Sequence, residues 1–175
     1  VLVFHKAPVS SLRRAFVAFL GSMVIWSTGA LMLRLNPQHT REWLVFNQVG
    51  NTLILPLALL YFVYYFTLRT RSRRWLHLGV IALTVVSIVI FGVGTIESAH
   101  LTADGLVEVS YRPAILILGA YWIFLIGMAA WELLLACRQA TDPIRRNRLR
   151  YPMIAVALIF VGALTNGVPT LRSLP

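Results

Sequence analysis

An all-α membrane protein is the fold class that this sequence predicts, on three observations. Five apolar stretches, 15–33, 43–68, 75–96, 113–137 and 151–171, each come near the roughly 20 residues needed to cross a bilayer. Basic residues gather in every second connection between them. The composition, 58% hydrophobic against 13% charged with mean hydropathy +0.76, lies far from that of a soluble domain. Only helices and closed barrels satisfy their backbone hydrogen bonds in lipid, and these stretches are too long and too continuously apolar for alternating barrel strands. With no internal repeat or low-complexity linker, residues 1–175 read as one domain of five transmembrane helices.

Charge sets the order of sides. Lys6, Arg13 and Arg14 precede the first stretch. Arg69, Arg71, Arg73 and Arg74 separate the second from the third, and Arg138, Arg145, Arg146, Arg148 and Arg150 separate the fourth from the fifth. The remaining connections hold only Arg34, Arg41, Arg112 and Arg172 of the 16 basic residues, so the rich side is expected to be cytoplasmic. Glu42, Glu97, Asp104 and Glu108 fall on the poor side. The location this implies is the cell inner (plasma) membrane, multi-pass, with the arginine-rich loops cytoplasmic. A formal charge of +10 and pI near 11.1 would suit nucleic acid, but these cations sit at helix ends, where they orient the protein and meet anionic lipid. Nucleic acid is therefore not an expected partner.

The first stretch carries Ser27 and Thr28 beyond its middle. In the second, Asn47, Gln48, Asn51 and Thr52 recur at spacings of three and four and so share one helical face in the outer half of the membrane. Thr165 and Asn166 of the fifth stretch lie at similar depth, so three helices can converge on one polar pocket. Two readings stand: a small-ligand or signal site opening outward, or interhelical hydrogen bonds that hold the bundle together. Pro56 lacks an N–H, which frees the carbonyl of Thr52 and predicts a kink, either a hinge below the polar face or a fixed bend.

Between the third and fourth stretches, Asp104-Gly105 signals a turn and 106–111 alternates enough for a short strand, a candidate lid over the outer pocket. The fourth stretch offers Gly119, Ala120, Gly127 and Ala130 as small contact surfaces. It also contains Glu132, the one acid within an apolar stretch. About 8 Å from the end at 1.5 Å per residue, Glu132 is expected to snorkel or to pair with Arg69 or Arg150. Asp142 can cap a helix beginning at Pro143, with Pro152 bending its entry into the membrane near Tyr151. Trp43, Trp75, Trp131, Tyr61, Tyr64, Tyr65, Tyr111 and Tyr151 cluster toward stretch ends as interfacial anchors do.

No CxxC, HExxH, P-loop or GxSxG pattern occurs, and no catalytic residue is assigned. Cys137 is the single cysteine, which excludes an intrachain disulfide. His5 and His77 fall on the cytoplasmic side, whereas His39 and His100 share the outer side with Glu97 and Asp104 at spacings too loose to assign metal ligands. A haem between membrane histidines has no support. Retinal chemistry has no lysine within the stretches, and no cofactor is expected.

The chain opens at Val1 with an apolar 1–4 ahead of a basic, proline-containing turn, which reads as the end of a preceding helix; 172–175 falls on the outer side and leads toward another. The five are then the middle five of a seven-helix bundle. At this point the chain resembles the seven-transmembrane N-terminal region of bacterial sensor proteins, fused most often to histidine kinases and also to diguanylate cyclases. The resemblance rests on the basic turn leading into Arg14-Ala-Phe16 and Trp26, and on Pro56 followed by an aromatic-rich helix end. It rests also on Asp142-Pro-Ile-Arg-Arg-Asn-Arg-Leu-Arg150 leading into the last stretch, and on Asn166 followed by Pro169. It implies a sensory input module, itself without enzymatic activity, that relays an external or intramembrane signal to a cytoplasmic output domain. The full-length protein is then a histidine kinase or diguanylate cyclase. Implied partners are membrane lipid, a small ligand, the output domain of the same chain and a second copy in a homodimer. The competing function is a transporter or channel component, for which Glu132 and Pro56 are the only pointers.

Overall fold

Apolar runs placed in lipid close their own hydrogen bonds as helices. The computed structural model describes residues 11–67, 74–101 and 107–172, with side chains described over 11–67, 77–99 and 108–161. The elements are α1 (Ser11–Leu35), a 3₁₀ turn at Pro37–His39, α2 (Thr40–Gln48), a π-helical segment at Val49–Ile54, and α3 (Leu55–Phe66). After them come α4 (Arg74–Val93), β1 (Ile96–Leu101), β2 (Val107–Tyr111), α5 (Ile115–Gln139) and α6 (Pro143–Arg172).

The expected count of five transmembrane helices is corrected. Among the described residues, three helices are long and apolar enough to cross a membrane: Ser11–Leu35, Pro37–Phe66 and Ile115–Gln139. The seven-helix frame built on that count falls with it. In the third stretch the helix, Arg74–Val93, stops where Gly94 adopts φ +95 and turns the chain into β1; its apolar run over the described side chains, His77–Val93, is shorter than those three. A positive φ costs a residue with a Cβ but not glycine. The fifth stretch belongs to a helix whose first turns carry Arg145, Arg146, Arg148 and Arg150, and its described side chains end at Val161.

α1 turns back on itself where Asn36 precedes Pro37, a dipeptide that disfavours further helix. The Thr40 hydroxyl donates to the Pro37 carbonyl at 2.7 Å and fixes the turn. The buried positions of α1, Ala15, Ser22 and Gly29, recur every seven residues and form one narrow stripe of small side chains. Small residues of this kind let helix backbones approach closely in lipid. Phe62 of α3 sits between Phe16 and Phe19 of α1, with ring centroids 5.5 and 6.0 Å away.

α5 is the central helix. Its buried face, Leu118, Tyr121, Leu125, Ala129, Leu133 and Ala136, follows the three-and-four spacing of one helical side and packs against α3, α4 and α6. Its other face exposes Leu116, Ile123, Phe124 and Trp131, as α4 exposes Leu78, Ile81, Val85 and Ile88. An apolar surface on this scale is a liability in water and a requirement in lipid. The protein is a predominantly helical, multi-pass membrane protein.

One part of the chain leaves the helical pattern. β1 and β2 pair antiparallel, from Ile96 opposite Tyr111 to Leu101 opposite Val107, with Glu97 as the extra residue of a bulge between Ile96 and Ser98. The predicted strand at 106–111 is met by β2, while β1 takes residues expected in helix and loop; the expected Asp104-Gly105 turn lies outside the described residues. The hairpin packs on α2, and the Arg112 N–H donates to the Thr95 carbonyl at 2.9 Å to close its base.

Candidate functional site

Pro56 breaks the hydrogen-bond ladder of the second span, and the break takes the form of the π-helical turn just before it. Leu55 N–H reaches back five residues to the Gly50 carbonyl. A π turn accommodates one residue more than the α ladder allows, and such turns are frequent at functional sites. The polar residues predicted on one face, Asn47, Gln48, Asn51 and Thr52, lie at the entrance to this turn and within it.

The turn is pressed against α1. A Cβ on Gly29 would lie 2.7 Å from Asn47 Cα, and one on Gly50 would lie 2.7 Å from Trp26 N. The two contacts are reciprocal across an antiparallel pair, since three residues on one helix correspond to three on the other. Asn47 completes the joint by donating from Nδ2 to the Trp26 carbonyl at 2.9 Å.

Gln48 faces the other way and is buried. Thr95, at the base of the hairpin, donates from Oγ1 to Gln48 Oε1 at 3.5 Å, and the Tyr111 phenol also hydrogen-bonds Gln48. Burial pushes the Tyr111 phenol above its ordinary value, and the bond to Gln48 partly offsets that. Asn51 and Thr52 are half-buried on the same segment. Ser27 and Thr28 are exposed on α1, whereas the side chains of Thr165 and Asn166 lie outside the described residues. The structure thus brings Asn47 to α1 and Gln48 to the hairpin, and does not bring Ser27 or Thr28 to them.

Two residues that the sequence reading passed over complete the site. Tyr121 of α5 is buried and donates its phenol proton to the Leu53 carbonyl, within the π turn, at 3.1 Å. Thr84 of α4 lies 3.4 Å from the same phenol oxygen and donates to the Val80 carbonyl at 2.7 Å. Either hydroxyl can be the donor in that contact, so the two bond when one of them turns its proton from its carbonyl, Tyr121 from Leu53 or Thr84 from Val80. A lone tyrosine at the middle of an apolar stretch was the available signal, because a buried phenol needs a partner. The joint therefore ties the hairpin, α1 and α5 to one irregular turn, with α4 beside it.

At the opposite, arginine-rich end, Glu132 is buried at 5% exposure instead of snorkelling toward the surface. It lies on the inward face of α5 in a cleft with Tyr61, Tyr64 and His77. The His77 ring stacks on Tyr61 at 5.9 Å and meets Tyr64 edge-on at 5.2 Å. Of its two expected partners, Arg150 is exposed and Arg69 lies outside the described residues. The α6 start beside this end matches the expected cap: Ile144 N–H and Arg145 N–H donate to the Asp142 carboxylate at 3.0 and 3.3 Å. Arg145 also donates to the Thr67 carbonyl at 3.5 Å, joining α6 to the end of α3.

No family model, curated relative or solved structure matches the chain.

Proposed function

We propose that this protein is a transmembrane sensory input module resembling the N-terminal region of bacterial sensor histidine kinases. It relays an external or intramembrane signal to a cytoplasmic output domain of the same protein. What supports this reading is the joint at Val49–Ile54, a turn just before Pro56 that is bonded to the central helix at Leu53 and preceded directly by Gln48, which bonds to the hairpin. A shift at the hairpin changes the pull on Gln48, and the π turn, which has an alternative α register, passes it to Tyr121. In this arrangement the hairpin is outside, the arginine-rich end is cytoplasmic, and Asn47, Gln48, Asn51 and Thr52 read the signal with Pro56 as the hinge.

The second reading, a transporter or channel component, is favoured by the burial of Glu132 with His77 and two tyrosines, since ionisable groups inside membranes mark ion pathways. Against it, Glu132 and Pro56 lie toward different depths and no polar path joins them among the described residues.

The test of the sensory reading compares output with stability in the full-length protein. Asn47→Leu and Asn51→Leu remove polar groups from the joint. Interhelical hydrogen bonds in membranes contribute about 0.6 kcal/mol on average. A signalling role therefore predicts altered kinase or cyclase output with melting temperatures close to wild type. Unchanged output beside a small loss of stability returns the cluster to packing.

Sidedness is tested with thiol reporters. Cys137 is buried, so a label is better carried by the exposed position beside it. In a Cys137→Ser background, Arg138→Cys is expected to react with an impermeant reagent only after cells are opened, and Glu42→Cys to react in intact cells. The reverse pattern overturns the orientation.

A further inference from the structure

A groove of about 390 Å³ runs between α1 and α3 at the arginine-rich end, sharing Tyr61 with the Glu132 cleft and reaching Ile54, the last residue of the π turn, at its inner end. That volume falls in the range of ligand-binding clefts, roughly 300–1,000 Å³. It exists because Ala15, Ala18 and Ala58 place methyl groups where neighbouring turns carry large side chains. From Tyr65 at the mouth to Ile54 at the inner end, the helix rises roughly 16 Å at 1.5 Å per residue. That is close to half of a hydrocarbon core of about 30 Å, the length of one leaflet's acyl chains.

The mouth is polar and cationic, and the rest is apolar. Arg14 is exposed there, the Ser11 and Tyr65 hydroxyls flank it, and among the described residues no carboxylate lines the groove. A guanidinium binds phosphate oxygens through paired donors. A neutral amphiphile would use the apolar trough but not Arg14, and a free anion would use Arg14 but not the trough.

We propose that this groove binds an anionic phospholipid, one acyl chain lying between α1 and α3 and its phosphate held by Arg14. The site rests on the membrane location alone and does not depend on the sensory reading.

The experiment is native mass spectrometry of the detergent-purified full chain with phosphatidylglycerol or phosphatidylcholine of identical acyl chains. Wild type is expected to retain phosphatidylglycerol in preference to phosphatidylcholine. Arg14→Gln is expected to weaken phosphatidylglycerol binding about tenfold, the loss of one charge-assisted hydrogen bond, and to weaken phosphatidylcholine less, because its choline cation already offsets the phosphate charge. Ala18→Phe, at an exposed position where added bulk enters the groove and not the core, is expected to lower binding of both lipids. Arg34→Gln, at the other end of α1, is expected to change neither. Equal retention of the two lipids by wild type, no retention of either, or undiminished retention in Arg14→Gln or Ala18→Phe overturns the proposal. If Ala18→Phe melts below wild type, the Arg14→Gln comparison decides alone.

Discussion

Gly29→Leu is expected to unfold the first helical hairpin at a temperature well below that of the wild type. The Cβ of any substituent meets Asn47 Cα at 2.7 Å and Asn47 N at 2.9 Å, so the neighbour that must give is backbone, not the far end of a side chain. Relief requires α1 to lift from the π turn. That also breaks the 2.9 Å bond from Asn47 to the Trp26 carbonyl and opens the reciprocal contact at Gly50. Overpacking of a close contact costs about 1–3 kcal/mol, and the lost hydrogen bond adds about 0.6 kcal/mol. The loss is then a large share of a total stability of about 5–15 kcal/mol. Gly21→Leu supplies the control, because nothing lies within 4 Å of a Cβ at that position on the same helix. Thermal melting in detergent is expected to separate the two variants by several degrees. Coincident melting curves would mean that the Gly29 contact does not hold the hairpin.

On the proposed sensory reading, Pro56→Ala is expected to change signalling while leaving the bundle folded. Alanine restores the N–H that proline lacks and is about 3 kcal/mol the better helix former. Opposing this are the bonds that hold the π register: Asn47 to Trp26, Thr95 to Gln48, and Tyr121 to Leu53. At about 0.6 kcal/mol each on average, they sum to less than the intrinsic preference. The segment should therefore revert to the α register. Removing the extra residue of the π turn rotates α2 by about 100° relative to α3, since 3.6 residues make one turn. Gln48 then turns away from the hairpin and Asn47 away from α1. Melting at or above the wild-type temperature, with output fixed at one level, is the expected result.

The existence of the helices was legible because an apolar stretch in lipid has few alternatives, and α5 over Ile115–Gln139 lies two residues from the predicted 113–137. The start of α6 was legible too, because Asp142 and Pro143 are the residues that a helix N-terminus uses. The end of the third stretch was not. Nothing in an apolar run announces that Gly94 will take a positive φ, and 96–101 has little alternation until β2 supplies its partner. Gly94 bears on the third stretch alone, whereas the fifth shares its helix with Arg145, Arg146, Arg148 and Arg150.

At the site, the polar face of the second stretch could be read from spacing, but its partners could not. Thr95 is 47 residues from Gln48, and only the folded chain brings them together. The π turn was half legible: Pro56 announced a broken ladder but not the form of the break. Glu132 shows a different failure. Distance from the helix end suggested snorkelling, yet its spacing from Ala129, Leu125 and Tyr121 already put it on the face that α5 buries. Helix rotation, not depth, decided its environment.

The most direct test removes one atom from the joint. Tyr121→Phe deletes the hydroxyl that reaches Leu53 and leaves the ring packed in the core, so stability should fall by about 1 kcal/mol or less. The measurement, on the proposed sensory reading, is output of the full-length protein, as ATP-dependent autophosphorylation or cyclic-dinucleotide synthesis, taken beside the melting temperature. If the π turn relays the signal to the central helix, output shifts severalfold while melting stays near wild type. Wild-type output in Tyr121→Phe, accompanied by the small stability loss alone, would contradict the relay and leave the joint as packing.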